Sequence, residues 1–201
     1  MKIELDYFHI GDAFGGSQDW FADWWMNKGG CAALAACDSC IQLQSSGLLG
    51  GLYPFDIHHL NKTDYIAFGM QMKPYLRPRV RGVNRLDIYI DGMRNYLKDI
   101  KNDSLALSGF SSDKPYEEAC ARMKRELTEG FPIPFLLLKH RSPALNEYLW
   151  HWFMLTDFQE WDGAVYVRAT TYGSCEYLSF EELWNSGFPE NGGMILYHIN
   201  R

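Results

Sequence analysis

The sequence has no basic run or basic stripe, and its net charge is −6. That argues against nucleic acid as a partner, because phosphate binding rests on clustered Lys and Arg. The densest positive stretch, RPRVRG at 77–82, has three arginines without wider support and reads as a loop or edge strand. No stretch approaches ~18 uninterrupted apolar residues, so no membrane span is expected. The first residues, MKIELDYFHIGD, alternate like a strand and lack an apolar core of signal-peptide length. The five cysteines are an odd number without a disulfide framework, so reduced thiols in the cytoplasm are the expectation. The pair CDSC at 37–40 has no second CxxC or paired His at finger spacing. Both thiols lie a turn or more inside a predicted helix, so they read as packing residues, and no metal or cofactor is expected. Cys120 and Cys175 read as structural. No internal repeat or low-complexity segment stands out.

What is present is an ordinary apolar fraction, 47 %, and a high aromatic one, 15 %. The 201 residues suit one domain with a real core. Residues 2–9 read as a strand, and 11–30 as a glycine- and tryptophan-rich lead-in. Ala33, Leu34, Cys37, Ile41 and Gln44 recur near helical spacing and predict a helix from Cys31 to about Gln44. Residues 54–73 are one helix or two short ones, ended by Pro74. Residues 84–98 read as a helix capped by Asn84, and 115–129 as a helix with Pro at its start and Gly130 past its end. Then the pattern changes. Strands are predicted at 132–140, 148–158 and 164–172, with EWDG at 160–163 as the hairpin turn. A short strand and a helix capped by Ser179 follow, and GGMILYHIN closes as a strand. The layout is α+β, a single domain over 1–201. Residues 1–130 are mainly helical and 131–201 mainly antiparallel sheet, with a cleft expected between them.

Cys31 stands at the start of its helix. There the helix dipole and free backbone N–H groups favour thiolate, the nucleophilic form. Gly29 and Gly30 let the chain turn and let a substrate approach. Of six histidines, His151 alone lies inside an apolar strand between two tryptophans, where a general base would find rigidity and shelter. The bland alternatives are a packed thiol and a satisfied core histidine.

The order of these pieces resembles the papain-like cysteine peptidases. The likeness is greatest to the bacterial peptidases that cut leader peptides after double glycine, and to their stand-alone relatives. SQDWF with GGCAALAACD looks like the glutamine and cysteine-helix region, and RELTEGFPIPFLLL like the helix and strand before the histidine. WHWFMLTDF looks like the histidine strand, and VYVRATTYGSCEYLSFEELW like the return strand and following helix. The resemblance implies a papain-like fold, with a central cysteine helix packed on a C-terminal antiparallel sheet. It implies Cys31 as nucleophile, His151 as base and then acid, and Gln18 as oxyanion donor, with Asn27 as a rival nearer in sequence. By the glycine register it puts Thr170 where the family has Asn or Asp, and Tyr172 where it has an aromatic shield. Asp157 is a possible substitute orienter. Gly29, Gly30, Trp152 and Tyr172 would border the substrate. The function so implied is hydrolysis of a peptide or small amide. A thiol acyltransferase and a non-catalytic peptide-binding relative are the alternatives, and the uncharged Thr170 favours the last. Trp20, Trp24 and Trp25 either line an apolar groove or, for at least two of them, pack under the cysteine helix.

Overall fold

The small residues after Cys31 produce a helix that can be enclosed on every side. In the computed structural model, which describes residues 1–200, every residue from Cys31 to Leu43 is buried. The four alanines among them let other elements approach the helix axis closely. A helix without a polar face belongs inside the core.

Three short strands open the chain: β1 (Lys2–Glu4), β2 (His9–Ile10) and β3 (Ala13–Phe14). A 3₁₀ turn at Gln18–Trp20 leads to α1 (Trp24–Gly29) and α2 (Cys31–Ser45). The ambiguous region at 54–73 resolves into irregular chain and one helix, α3 (Lys62–Met72), capped by the Asn61 side chain accepting from the Asp64 N–H at 2.9 Å. Next is α4 (Leu86–Asp99), with Arg85 at the cap position. Asn84 lies one residue outside and makes no cap. Then come β4 (Leu105–Ser111) and α5 (Tyr116–Thr128). The remaining elements are β5 (Ile133–Leu137), β6 (His151–Trp161), β7 (Ala164–Thr171), β8 (Ser174–Ser179), α6 (Phe180–Trp184) and β9 (Gly192–Ile199). Asp162 and Gly163, between β6 and β7, both take positive φ, +51° and +77°, as a tight hairpin turn requires. Ser179 caps α6 by accepting from the Glu182 N–H.

Seven strands form one antiparallel sheet in the order β4-β9-β5-β6-β7-β8, with β1 also on β6. β5 pairs with residues 151–155 of β6, and β1 continues along β6 at residues 157–159. β4 has no counterpart in the sequence reading, which assigns nothing to residues 99–114. Its alternation is legible only for Leu105 and Leu107, and its place comes from the ladder with β9. Since β1 and β4 join it, the sheet is not built by the second half of the chain alone.

The strands alternate faces. Leu136, Trp152, Met154, Ile195 and Tyr197 pack with α2, α3 and α4. Phe135, Leu137, Phe153, Leu155, Met194 and Leu196 pack with α5 and α6. The sheet is therefore the middle layer of three. No helix among the described residues is long and apolar enough to cross a membrane.

Candidate functional site

The α1–α2 junction sets the position of Cys31. Gly30 ends α1 and caps α2, and its N–H donates to the Met26 carbonyl at 3.0 Å. A Cβ on Gly30 would lie 2.5 Å from that carbonyl oxygen, so only glycine fits. With no linker between the helices, Cys31 becomes the first residue of α2. Gly30 therefore serves the junction rather than the substrate border, while Gly29 lines a cavity.

His151 is the first residue of β6 and is buried. Its Nε2 lies 2.7 Å from the hydroxyl of Thr171. Thr170, the residue expected to orient it, does not touch it. The reason is register. Met154 stands opposite Thr170 across the β6–β7 ladder, so Thr170 shares the face of Trp152 and Met154. Thr171 falls on the other face, with Phe153 and His151. Thr170 instead lies 3.2 Å from the Thr156 hydroxyl in the core, while bordering the small cavity described below. Asp157 is no substitute: it accepts from the Tyr177 hydroxyl at 2.7 Å and faces Arg168.

Tyr172 stacks on the imidazole, with centroids 5.1 Å apart and planes 6° from parallel. Tyr172 and Trp150 both hold φ above +50°. Such backbone costs about 1–3 kcal/mol for a bulky residue and collects at functional sites. Here the two strained residues flank His151, one by sequence and one by stacking. Trp152 is buried; its indole N–H donates to the Val83 carbonyl at 2.6 Å and its ring stacks on Tyr89. It ties the 77–83 loop to β6 and is a positioning residue.

Gln18 is buried, and its Nε2 donates to the Asn27 carbonyl at 2.7 Å. Asn27 spends its own amide on the Phe21 carbonyl, so it holds Gln18 rather than replacing it. The Oε1 of Gln18 is buried without a hydrogen-bond partner among the described residues. An unmet buried acceptor costs about 1–3 kcal/mol, and a bound group at the site would relieve it.

Cys31, His151, Gln18 and Tyr172 line two cavities in common. The smaller, about 20 Å³, also touches Trp152, Thr170, Thr171 and Asp38. It holds about one water-sized group. The larger, about 300 Å³, opens toward Lys28, Gly29, the 79–82 turn and Trp150. Trp24 and Trp25 border neither cavity. They are exposed, edge to face at 4.9 Å, and do not pack under α2. Trp20 packs against Tyr65. Cys37 and Cys40 are fully enclosed in the core, whereas Cys175, expected to be structural, is exposed on the sheet's edge strand.

The electrostatics reverse one expectation. Burial pushes the Cys31 thiol up, and this outweighs the backbone N–H groups of Trp152, Ala32 and Cys31 that pull it down. Burial also lowers His151 to about 4. At pH 7 the sulfur keeps its proton and the imidazole is neutral. The helix start alone favours thiolate, but dehydration of a buried charge is the larger effect. Alkylation by iodoacetamide is therefore expected to reach Cys175 before Cys31 at pH 7. The Cys31 rate should climb steadily to pH 9, as peptide mass mapping of labelled protein would show. A plateau for Cys31 between pH 5 and 8 would mean a resting thiolate–imidazolium pair.

A third feature is absent from the sequence-based expectations, although its spacing puts it on the helix face of Cys31, Leu34 and Ala35. Asp38 lies on α2 two turns past Cys31, buried, and accepts from the hydroxyls of Tyr65 at 2.6 Å and Tyr7 at 3.1 Å. The Gly16 N–H reaches the same carboxylate at 3.5 Å. A Cβ on Gly16 would strike the Tyr65 ring at 1.8 Å. Asp38 thus ties the cysteine helix to the loop that carries Gln18. Burial raises its pKa from 3.8 to about 6, despite three donors that lower it. A raised folded-state pKa means the fold binds a proton that the unfolded chain has released. Stability from this group is therefore lost as pH rises from about 4 through 6. Asp38→Asn should gain stability on the wild type between pH 5 and pH 8, by at most about 1.4 kcal/mol. Urea titrations at the two pH values measure it, and an unchanged difference would show that Asp38 does not titrate there.

Comparison with known proteins gives no match among family models, curated proteins or solved structures.

Proposed function

We propose that the protein is a thiol hydrolase of the papain-like type that cleaves a peptide or small amide bond with Cys31 and His151. The observation that supports this most is the convergence of four elements on one small cavity. Cys31 opens a buried helix there, His151 is held by Thr171 and Tyr172, and Gln18 is fixed by Asn27.

The chemistry follows from these positions. Thr171 engages Nε2 and leaves Nδ1 of His151 for the thiol. Because the resting pair is neutral, His151 acts as a general base during attack. The sulfur bonds to the substrate carbonyl carbon as its proton moves to Nδ1. The carbonyl oxygen becomes the oxyanion, within reach of the second Nε2 N–H of Gln18 and the backbone N–H of Cys31. Donors placed in this way are typically worth ~3 kcal/mol in the transition state. Collapse breaks the C–N bond, and His151 returns the proton to the leaving amine. Water then attacks the thioester, gives its proton to His151, and releases the acid and the free thiol. Thr171 brings no charge to stabilise imidazolium, so slow turnover is expected.

A peptide vinyl sulfone tests the reading. Seated in the cleft, it should label Cys31 in the wild type and not in Cys31→Ala, even though Cys175 is the more exposed thiol. Labelling confined to Cys175 would remove the thiol-hydrolase assignment. An added amine that appears in the product would make the enzyme an acyltransferase.

A further inference from the structure

The larger cavity carries a charge pattern that the proposed chemistry does not use. Lys28, Arg79 and Arg81 line it, and Glu147 and Trp150 border it as well. The three cations are exposed, and none forms an ion pair with a described residue. In a chain of net charge −6, this cavity is lined by three cations and one carboxylate, Glu147.

The turn that presents the arginines is held in place. The Gly82 N–H donates to the Arg79 carbonyl at 2.7 Å, with Gly82 at φ +61°. Before the turn, Leu76 and Pro78 are buried, and Pro78 lies beside Gly29 at the end of α1. After the turn, Val83 is buried and bonded to Trp152, the residue next to His151. One end of the turn thus lies against the end of α1, two residues before Cys31, and the other is anchored to β6, which carries His151. Val80, at its centre, is 94 % exposed and projects from no core. Gln18 lines the same cavity.

We propose that this cleft selects peptides carrying a carboxylate within about two residues of the bond presented to Cys31, the carboxylate being held by Lys28, Arg79 and Arg81. This rests on the peptide cleft of the proposed function, not on its turnover. Glu147 repels the same carboxylate and so fixes which way the peptide lies. The carboxylate belongs either to an Asp or Glu side chain or to a free C-terminus.

Binding to the Cys31→Ala protein tests it without catalysis. The probes are fluorescein-labelled heptapeptides with a central Gly-Gly. Each has Glu, Gln or Lys at one flanking position, or a C-terminal acid or amide. Fluorescence anisotropy should show the best Glu peptide binding at least tenfold tighter than its Gln twin in 50 mM salt. That ratio should shrink in 500 mM salt, because exposed charges are screened. A gain from the acid over the amide, instead of from Glu over Gln, assigns the carboxylate to a C-terminus. Arg79→Gln/Arg81→Gln should bring the ratio within about twofold. Arg85→Gln, outside the cleft, should leave it in place. No binding, equal Glu and Gln binding at every position with acid equal to amide, or preference for Lys would each overturn the proposal. Cleavage by the wild type is read separately: turnover without acid preference leaves the hydrolase and removes this inference. Acid-selective binding without turnover does the opposite.

Discussion

On the proposed mechanism, Cys31→Ala should lower peptide hydrolysis by about 10⁴-fold or more, leaving only what the oxyanion donors and binding supply. No other thiol is placed to take over. Cys37 and Cys40 are enclosed in the core, Cys120 is buried on α5, and Cys175 lies on the outer edge strand. The substitution removes one sulfur atom at a helix start where the next residues are already alanine, so the fold should survive with a melting temperature within a few degrees. His151→Ala should reach a comparable loss, because nucleophile and base act as a unit and their effects do not add. The double variant should be no worse than either single one. Activity of Cys31→Ala above a tenth of wild type, measured on protein purified free of host peptidases, would remove Cys31 from the chemistry.

The second large effect separates two neighbouring threonines. Thr171→Val deletes the hydroxyl 2.7 Å from His151 Nε2 and leaves a side chain of nearly the same shape. The imidazole loses its fixed tautomer and orientation. The expected fall in kcat is about 10²-fold, the low end of what general acid–base help contributes. Thr171→Asn restores an acceptor and should recover most of the rate. Thr171→Asp adds the missing negative charge and should raise the His151 pKa from about 4 toward its ordinary value. Thr170→Val behaves differently. It removes a hydroxyl that faces Thr156 in the core, so it should cost about 1 kcal/mol of stability and change kcat less than threefold. If Thr170→Val matched Thr171→Val in kcat, with KM and fold intact, the register argument would fail. The acidic limb of the kcat/KM profile should also move with Thr171→Asp, which a purely structural role for Thr171 would not produce.

The elements with strong local signals were legible in the chain. The small-residue helix begins at Cys31 as the spacing predicts, and the helix at 116–128 and the Asp-Gly hairpin stand where their caps and turn residues put them. β4 was not legible, because a seven-residue strand with glycine and two serines is defined by its partner β9 rather than by its own pattern. Asn84 failed as a cap because α4 starts two residues later, beyond its reach. Gln18 and Asn27 could both be named from the chain, but not that the main-chain carbonyl of Asn27 accepts from Gln18 while the Asn27 amide donates to Phe21. Asp38, seven residues on, shares the helix face of Cys31, and Lys28 lies three residues before it, but the arginine turn carries no spacing signal toward Cys31. The arginines reach the cleft only through the packing of the 77–83 loop.

By itself the sequence determined the helix start that presents Cys31, the apolar strand that bears His151, and the α+β class. These follow from local propensity and periodicity, which act over a few residues. The tertiary structure decided three other matters. It chose Thr171 over Thr170, because strand register sets the face and a one-residue shift reverses it. It set the sign of the Cys31 shift, because burial outweighs the backbone N–H groups at the helix start. It brought three unpaired cations to the same cleft, because that arrangement depends on loops anchored far apart in the chain.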